Sequence, residues 1–390
     1  MTVGVICEFN PFHNGHKYLL DKIKEKYPDS KIVAIMSGNF VQRGDVAVID
    51  KFIRAKQALL NGFDLVVELP AVYAVSSAEI FAKSGVRIAE GLCCDVLAFG
   101  TENDIDDLRE IATLYQNGDF KKLIKNELLS GKSYPQALND TILMLTSNNS
   151  KIEQVLKGSN NILAIEYLKA ISKTSIFPYA VKRKSVKHDS DITKDKFASA
   201  SAIRELILNN SDEYYKFIPE NTDKDEFLNT ASIKNLELPL LYKLRTMTKE
   251  DFINLPDVSE GLENRILEAI QNYNSIKEII KFIKTKRYTE ARIRRILIYA
   301  LFSISKEMQK ADVPYIRVLG FNKNGEVILS NAGKKNLLPI ISKVSQYKNI
   351  LNCNEQKIFE KDLLASNIYT LAQSKISGCN KDFYNQIIKL

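Results

Sequence analysis

Two of the chain's three histidines fall three positions apart in one short run, Cys7-Glu8-Phe9-Asn10-Pro11-Phe12-His13-Asn14-Gly15-His16. An apolar stretch precedes the run and a helical pattern follows it. A helix start exposes free backbone N–H groups and a partial positive charge, which suit a phosphate. Gly15 lets the backbone come close to a ligand, and Pro11 rigidifies the entry turn. Two imidazoles facing one phosphate stabilise charge on an α-phosphate under attack and on the departing pyrophosphate. The run therefore predicts an ATP-handling site spanning Cys7, Glu8, Phe9, Asn10, Pro11, Phe12, His13, Asn14, Gly15, His16, Lys17, Tyr18, Leu19 and Leu20. The competing use of such a pair is metal binding, but no carboxylate or cysteine stands at ligand spacing, so no metal ligands are expected. Cys7 reads as a buried strand residue rather than a nucleophile. The chain carries no GxxxxGK[ST], and no GxGxxG follows the first apolar stretch, so ATP binding rests on the histidines.

The elements that must position this run alternate between strand and helix. Thr2 to Glu8 reads as a buried strand, and Gly15 to about Tyr27 as a helix. Lys31 to Met36 is a second strand and Leu65 to Leu69 a third. Asp50 is an N-cap for a helix over Lys51 to Asn61, closed by Gly62. Ser76 to Glu90 is helical, and Asp95 to Phe99 is a fourth strand ending at Gly100-Thr101-Glu102. This alternation predicts a parallel α/β sheet, whose ligands sit beyond the carboxyl ends of the strands. Residues 104 to 175 read as helical. Ile176 to Val181 forms a further strand, followed by a basic loop, Lys182 to Asp189, that holds the third histidine, His188. Ser199-Ala200-Ser201 opens a helix that contains Arg204.

The chain has 390 residues, 45% hydrophobic and 26% charged, with a net charge of +8. That length suits two domains. A Rossmann-like catalytic domain is expected over 1–215 and a mostly helical domain over 216–390. In the second part, Tyr315 to Leu329 reads as a β-hairpin around Asn322-Lys323-Asn324-Gly325. The densest positive cluster is Lys281, Lys284, Lys286, Arg287, Arg292, Arg294 and Arg295, a candidate for contact with nucleic acid. No apolar run is long enough to span a membrane. Five scattered cysteines without a CxxC pair suit reduced thiols in a cytoplasmic protein.

The segment GVICEFNPFHNGH resembles the HxGH signature of the nucleotidylyltransferase superfamily. Ser199-Ala200-Ser201-Ala202-Ile203-Arg204 resembles its second signature, a serine-rich helix start with an arginine for the β- and γ-phosphates. The resemblance extends to SGNFVQRGD, Lys51, Arg54, DLVVELP, FGTE, SNNILAIEYLKA, His188-Asp189 and Glu260 to Ile266. Together these are similar to the bacterial tRNA(Met) cytidine acetate ligase family. The family's glycine-bearing loop with an aromatic is replaced here by Lys184-Ser185-Val186-Lys187.

The resemblance implies a two-step reaction. Acetate attacks the α-phosphate of ATP, and the resulting acetyl-adenylate acylates the wobble cytidine of elongator tRNA(Met) to give N4-acetylcytidine. It implies ATP, accompanied by magnesium, as the cofactor. His13, His16, Ser201 and Arg204 would be the catalytic residues, and Gly100, Asn160 or Asn161, and Arg183 would be further nucleotide contacts. Adenylyl transfer to a small phosphorylated acceptor is the alternative enzyme class, and it leaves the helical half without a task. A non-enzymatic RNA-binding protein would be expected to show a degraded motif, whereas His13, Gly15, His16, Ser199, Ser201 and Arg204 are all present.

Overall fold

The computed structural model describes every residue except 116, 133, 147–148, 184–195 and 260, and also omits the side chains of 134, 135, 150 and 159. Its strands are β1 (Thr2–Cys7), β2 (Lys31–Ser37), β3 (Phe40–Val41), β4 (Asp45–Val46), β5 (Leu65–Leu69), β6 (Val96–Thr101), β7 (Phe177–Lys182), β8 (Ile316–Phe321), β9 (Ile340–Ile341) and β10 (Ile388–Lys389). The main sheet runs β10-β8-β5-β2-β1-β6-β7, with β9 beside β8. A strand covered on both faces must be apolar along its length, and β1 meets that need. Its Val3, Val5 and Cys7 pack with Leu20 and Ile23 on one face, while Ile6 packs with Phe81 and Val86 on the other.

The five strands from β5 to β7 are mutually parallel, as the sequence predicts. The helices Asn14–Lys26, Lys51–Leu60 and Ala78–Gly91 make the crossovers between β1, β2, β5 and β6. The chain first builds outward from β1 to β5, then returns to place β6 on the other side of β1. The crevice at the ends of β1 and β6 is therefore the topological switch point of the sheet, where such folds bind ligands.

The predicted hairpin at 315–329 is not formed. β8 ends at Phe321, and the next residues make the helix Lys323–Lys335. Asn322 caps that helix by accepting from the N–H groups of Asn324 (2.9 Å) and Gly325 (3.1 Å). Gly325 sits against the Asp64 carbonyl, 2.1 Å from where a Cβ would lie. The Asn and Gly that read as a turn are thus an N-cap and a close approach. β8 instead pairs antiparallel with β5, and β10 pairs parallel with β8.

Helices already fill 105–171, the short helix Asp212–Phe217 runs through the expected boundary at 216, and strands from beyond it return to complete the sheet. A buried charge network fastens that return. Lys51 pairs with Glu68 (2.9 Å) and Asp382 (2.8 Å), and Arg317 pairs with Glu68 (3.0 Å) and Asp382. Among the described residues no helix is long and apolar enough to cross a membrane.

Candidate active site

His13 is the N-cap of the helix Asn14–Lys26, with its backbone extended at φ −141°. Its Nδ1 accepts from the Gly15 N–H at 3.0 Å, and the His16 Nδ1 accepts from the His13 N–H at 3.2 Å. This is a capping box built from imidazoles. The rings stack with centroids 3.8 Å apart and planes 25° from parallel. Gly15 is required between them, since a Cβ there would lie 2.7 Å from the His13 ring. With both Nδ1 atoms accepting, the hydrogen-bond pattern assigns each proton to Nε2. Burial, then the charges of Arg183 and Arg204, pushes the His13 pKa down to about 3. Burial, then His13 and Arg183, holds His16 well below its ordinary value. Both rings are therefore neutral Nε2–H donors at pH 7.

The pair lines a cavity of about 420 Å³ at the switch point. Cys7, Gly15, Tyr18 and Leu19 of the predicted run also line it, together with Phe99, Gly100 and Glu102 at the end of β6. The rest of the run has other duties. Phe9 and Phe12 are buried against Phe63 and flank the His16 ring. Leu20 is core, and Lys17 pairs with Asp21 on the surface. Asn14 donates to the carbonyls of Lys196 (2.9 Å) and Lys216 (3.2 Å). The Cys7 thiol is buried, donates to the Ile35 carbonyl at 3.7 Å, and has its pKa raised by burial, which matches a core role rather than a nucleophile.

The neighbouring asparagines have separate roles. Asn160 and Arg183 line the cavity. The Asn160 amide donates to Glu102 Oε1 at 2.6 Å, and its carbonyl accepts from Arg183 at 2.7 Å. Asn161 is wholly buried and is not part of the cavity lining. Its oxygen accepts from the Glu102 N–H (3.0 Å), and its nitrogen donates to Asn103 Oδ1 (2.8 Å) and the Val155 carbonyl (3.0 Å). It pins the loop after β6 to the helix Ser159–Ile171. Gly100 makes room for the arginine stem, because a Cβ there would lie 3.2 Å from Arg183 Cγ. Sequence reading placed Glu102 only on a strand-end rim. Its position at the carboxyl end of β6, in Gly100-Thr101-Glu102, was the available signal.

Ser199 also lines the cavity and caps the helix Ala200–Leu208, accepting from the Ala202 N–H at 3.1 Å. Ser201 is exposed, and its Oγ accepts from Arg204 at 3.1 Å. Arg204 also donates to the Asn10 carbonyl at 2.9 Å. Arg54, fully buried, donates to the carbonyls of Glu8 (2.6 Å), Ser37 (3.1 Å) and Ile49 (3.1 Å), which fixes the ends of β1 and β2 relative to each other.

Much of the predicted basic cluster turns inward. Arg295 is nearly buried and pairs with Asp257 at 2.8 Å. Arg292 donates to the Asp257 carbonyl at 2.8 Å. Arg294 bridges Glu290 (2.8 Å) and Asp45 (3.5 Å). Only Lys281, Lys284, Lys286 and Arg287 of the cluster are exposed, and Lys284 pairs with Glu290. The exposed part of the expected cluster is that smaller group, because helix Glu290–Phe302 uses its arginines to join neighbouring elements. The basic loop containing His188 lies outside the described residues beyond Arg183.

Comparison with known proteins extends the geometry. The model of the HIGH Nucleotidyl Transferase family matches residues 1–382. The chain is 44% identical to a tRNA(Met) cytidine acetate ligase of Thermoanaerobacter sp. (strain X514), covering 100% of this chain and 99% of the relative. It is 38% identical to the protein of that name from Clostridium tetani, over 99% of each. Among solved structures it is similar to apo TmcAL of Thermotoga maritima, with a TM-score of 0.92 and 32% identity over 100% of this chain and 99% of that one. It is also similar to the same protein bound with alpha-thio ATP, with a TM-score of 0.90 and 31% identity over the same shares.

Proposed function

Because this chain belongs to the HIGH Nucleotidyl Transferase family, and within it to the tRNA(Met) cytidine acetate ligases, we propose that it activates acetate with ATP and acetylates a tRNA(Met) cytidine. In the first step an acetate oxygen attacks the α-phosphate and pyrophosphate departs, leaving acetyl-adenylate. In the second step the N4 amine of the wobble cytidine of elongator tRNA(Met) attacks the acetyl carbonyl. AMP leaves, the amine loses a proton, and N4-acetylcytidine is formed.

The observation that carries this reading is the stacked histidine pair at the switch-point cavity. Two neutral Nε2–H donors at a helix start suit the growing negative charge of a phosphoryl transition state, and their fixed rings need no reorganisation. Arg183, which lines the cavity, and Arg204, whose charge also reaches His13, add positive charge for the departing pyrophosphate. A cytosine amine is a weak nucleophile because its lone pair is delocalised into the ring, and acetate is a poor acyl donor. Adenylation removes the second difficulty, and positioning addresses the first. A base in an anticodon loop can be splayed out into a site, unlike one within an A-form helix.

We propose that Ser201 sets the Arg204 guanidinium, that Asn160 contacts the nucleotide directly, and that Asn161 acts through the loop it holds. Magnesium would arrive on the nucleotide's own phosphates. Among the described residues no three His, Cys, Asp or Glu side chains gather to hold an ion. The test is incubation with ATP and labelled acetate, with and without elongator tRNA(Met), following pyrophosphate release and label on the RNA. Label on the RNA is expected. ATP consumed against a small phosphorylated acceptor, with none on the RNA, would replace the acceptor assignment.

A further inference from the structure

We infer that Arg43, at the tip of the β3–β4 hairpin, pairs with Arg204 to hold a phosphate group at the mouth of the active site, a reading that rests on the proposed function. Arg43 is exposed, and no described residue hydrogen-bonds or ion-pairs with it. An exposed arginine on a mobile loop would simply be solvated, but the backbone that carries this one is held on three sides. The Gln42 N–H donates to the Glu8 carboxylate at 2.8 Å. The Gln42 side chain donates to the Ser76 carbonyl at 2.8 Å. Gly44, with φ +71°, lies so close to the helix Glu290–Phe302 that a Cβ would meet the backbone of Arg294 and Arg295 at 2.5 Å.

Arg204 is anchored two residues along the same loop. One guanidinium nitrogen donates to the Asn10 carbonyl at 2.9 Å and another to Ser201 at 3.1 Å. The Asn10 side chain accepts from the Val48 N–H at 2.8 Å, tying this loop to the chain leaving the hairpin. Both arginines are therefore referenced to Glu8–Asn10, the turn that leads into the histidine pair, and Arg204 feels the charges of Glu8 and Asp45 ahead of that of Arg43.

The nearby carboxylates are already engaged. Glu8 accepts from Gln42, while Asp45 accepts from the Val46 N–H at 2.8 Å and pairs with Arg294 at 3.5 Å. These carboxylates offset part of the repulsion between the two arginines, and the Arg43 guanidinium keeps no hydrogen-bond or ion-pair partner among the described residues. An anion with several acceptor oxygens relieves the repulsion and uses both guanidinium forks. The ligand chemistry is a phosphate oxyanion, either the terminal phosphates of ATP or a backbone phosphate of the incoming RNA.

The two sources separate in one set of measurements on Arg43→Ala and Arg43→Lys. ATP–pyrophosphate exchange with acetate gives the KM for ATP without RNA. Acetyl transfer at saturating ATP gives the KM for tRNA and its salt dependence. Arg43→Ala should raise one of these constants about tenfold, the cost of one charge-assisted contact, with kcat changed by less than about twofold. Arg43→Lys should recover part of the loss, because an ammonium keeps the charge but not the fork. A raised KM for ATP assigns the γ-phosphate. A raised KM for tRNA, with a salt slope shallower by up to about one unit, assigns the RNA backbone. Constants within about twofold of wild type in both arms overturn the arginine pair. Wild-type protein that transfers no acetyl group would instead overturn the proposed function, so the two failures are distinguishable.

Discussion

The imidazoles of His13 and His16 lie face to face at 3.8 Å, and each commits its Nδ1 to a backbone N–H of the same turn. The motif therefore starts its own helix and also presents two Nε2–H donors to the cavity. The cap and the cavity donors belong to opposite nitrogens of the same rings, so substitutions at these positions have two consequences that need separate readouts.

His16→Ala should lower ATP–pyrophosphate exchange by at least about 10²-fold, the scale on which removal of one preorganised donor acts. Loss of its share of the cap should cost about 1 kcal/mol. Exchange assays and thermal melts of one preparation test both effects. Exchange near the wild-type rate in a folded His16→Ala protein would remove the central assignment.

The ionisation of His13 gives a pH signature. Its pKa is about 3 in the folded protein against 6.5 for the free side chain, so below 6.5 the unfolded chain takes up this proton first. The stability linked to neutral His13 is present above pH 6.5 and is lost as pH falls toward 3. Asp362, with its pKa pushed by burial and by Glu68 up to about 7, works in the opposite direction. It binds its proton in the folded state, and its contribution is lost as pH rises toward 7. Total stability therefore mixes the two. The difference between wild type and His13→Asn, from urea unfolding across pH 4 to 8, should isolate the histidine and shrink toward acid pH. Nitrogen NMR of the rings should find Nε2 protonated at pH 7.

Glu102 orients the Asn160 amide, which in turn holds Arg183. Glu102→Ala should raise the KM for ATP more than it lowers kcat, and Glu102→Gln should recover part of that, since its oxygen can still accept from Asn160. Asn160→Ala should behave like Glu102→Ala, with an unchanged melting temperature. Asn161→Ala should instead cost about 1–3 kcal/mol, because the buried Val155 carbonyl and the half-buried groups of Glu102 and Asn103 lose their partner. Equal stabilities of the two asparagine variants would contradict this division of roles.

Arg295→Glu should destabilise the protein rather than merely weaken RNA binding. Arg295 is nearly buried against Asp257, and breaking such a pair costs about 3 kcal/mol. Charge reversal at Lys281 and Lys286, both exposed, should leave the melting temperature alone and reduce affinity for tRNA. Filter binding at several salt concentrations, read beside melts of each variant, tests the contrast.

Deleting residues 381–390 should destabilise the whole fold. It removes Asp382, whose carboxylate Arg317 and Lys51 keep ionised against the cost of burial, and leaves those two cations with Glu68 alone. The expected loss is about 3–5 kcal/mol. A melting temperature equal to that of the full chain would show that β10 and the network are dispensable.

The strand-turn-helix arrangement around His13 and His16 was legible in the sequence because its determinants are local. A strand, an Asn10–Pro11 turn and a helix cap lie within one short segment, and the types and spacing of His13, Gly15 and His16 constrain their own geometry. The parallel sheet was legible for a similar reason, since uninterrupted apolar runs at β1, β2, β5 and β6 must be covered on both faces. What the tertiary structure alone decided are relationships between distant residues. Asn160 and Asn161 are indistinguishable in sequence, and only the packing of their helix against the end of β6 turns one into the cavity and the other into the core. The arginines of 290–302 looked like an outward basic face until Asp257, Asp45 and Glu290 came within reach. Asn322 and Gly325 carry the same local signal for a turn and for a helix cap, and the Asp64 carbonyl behind Gly325 selected the cap. Short-range backbone preferences write themselves into adjacent residues, whereas the partner of a charge or an amide is set by the fold that brings it near.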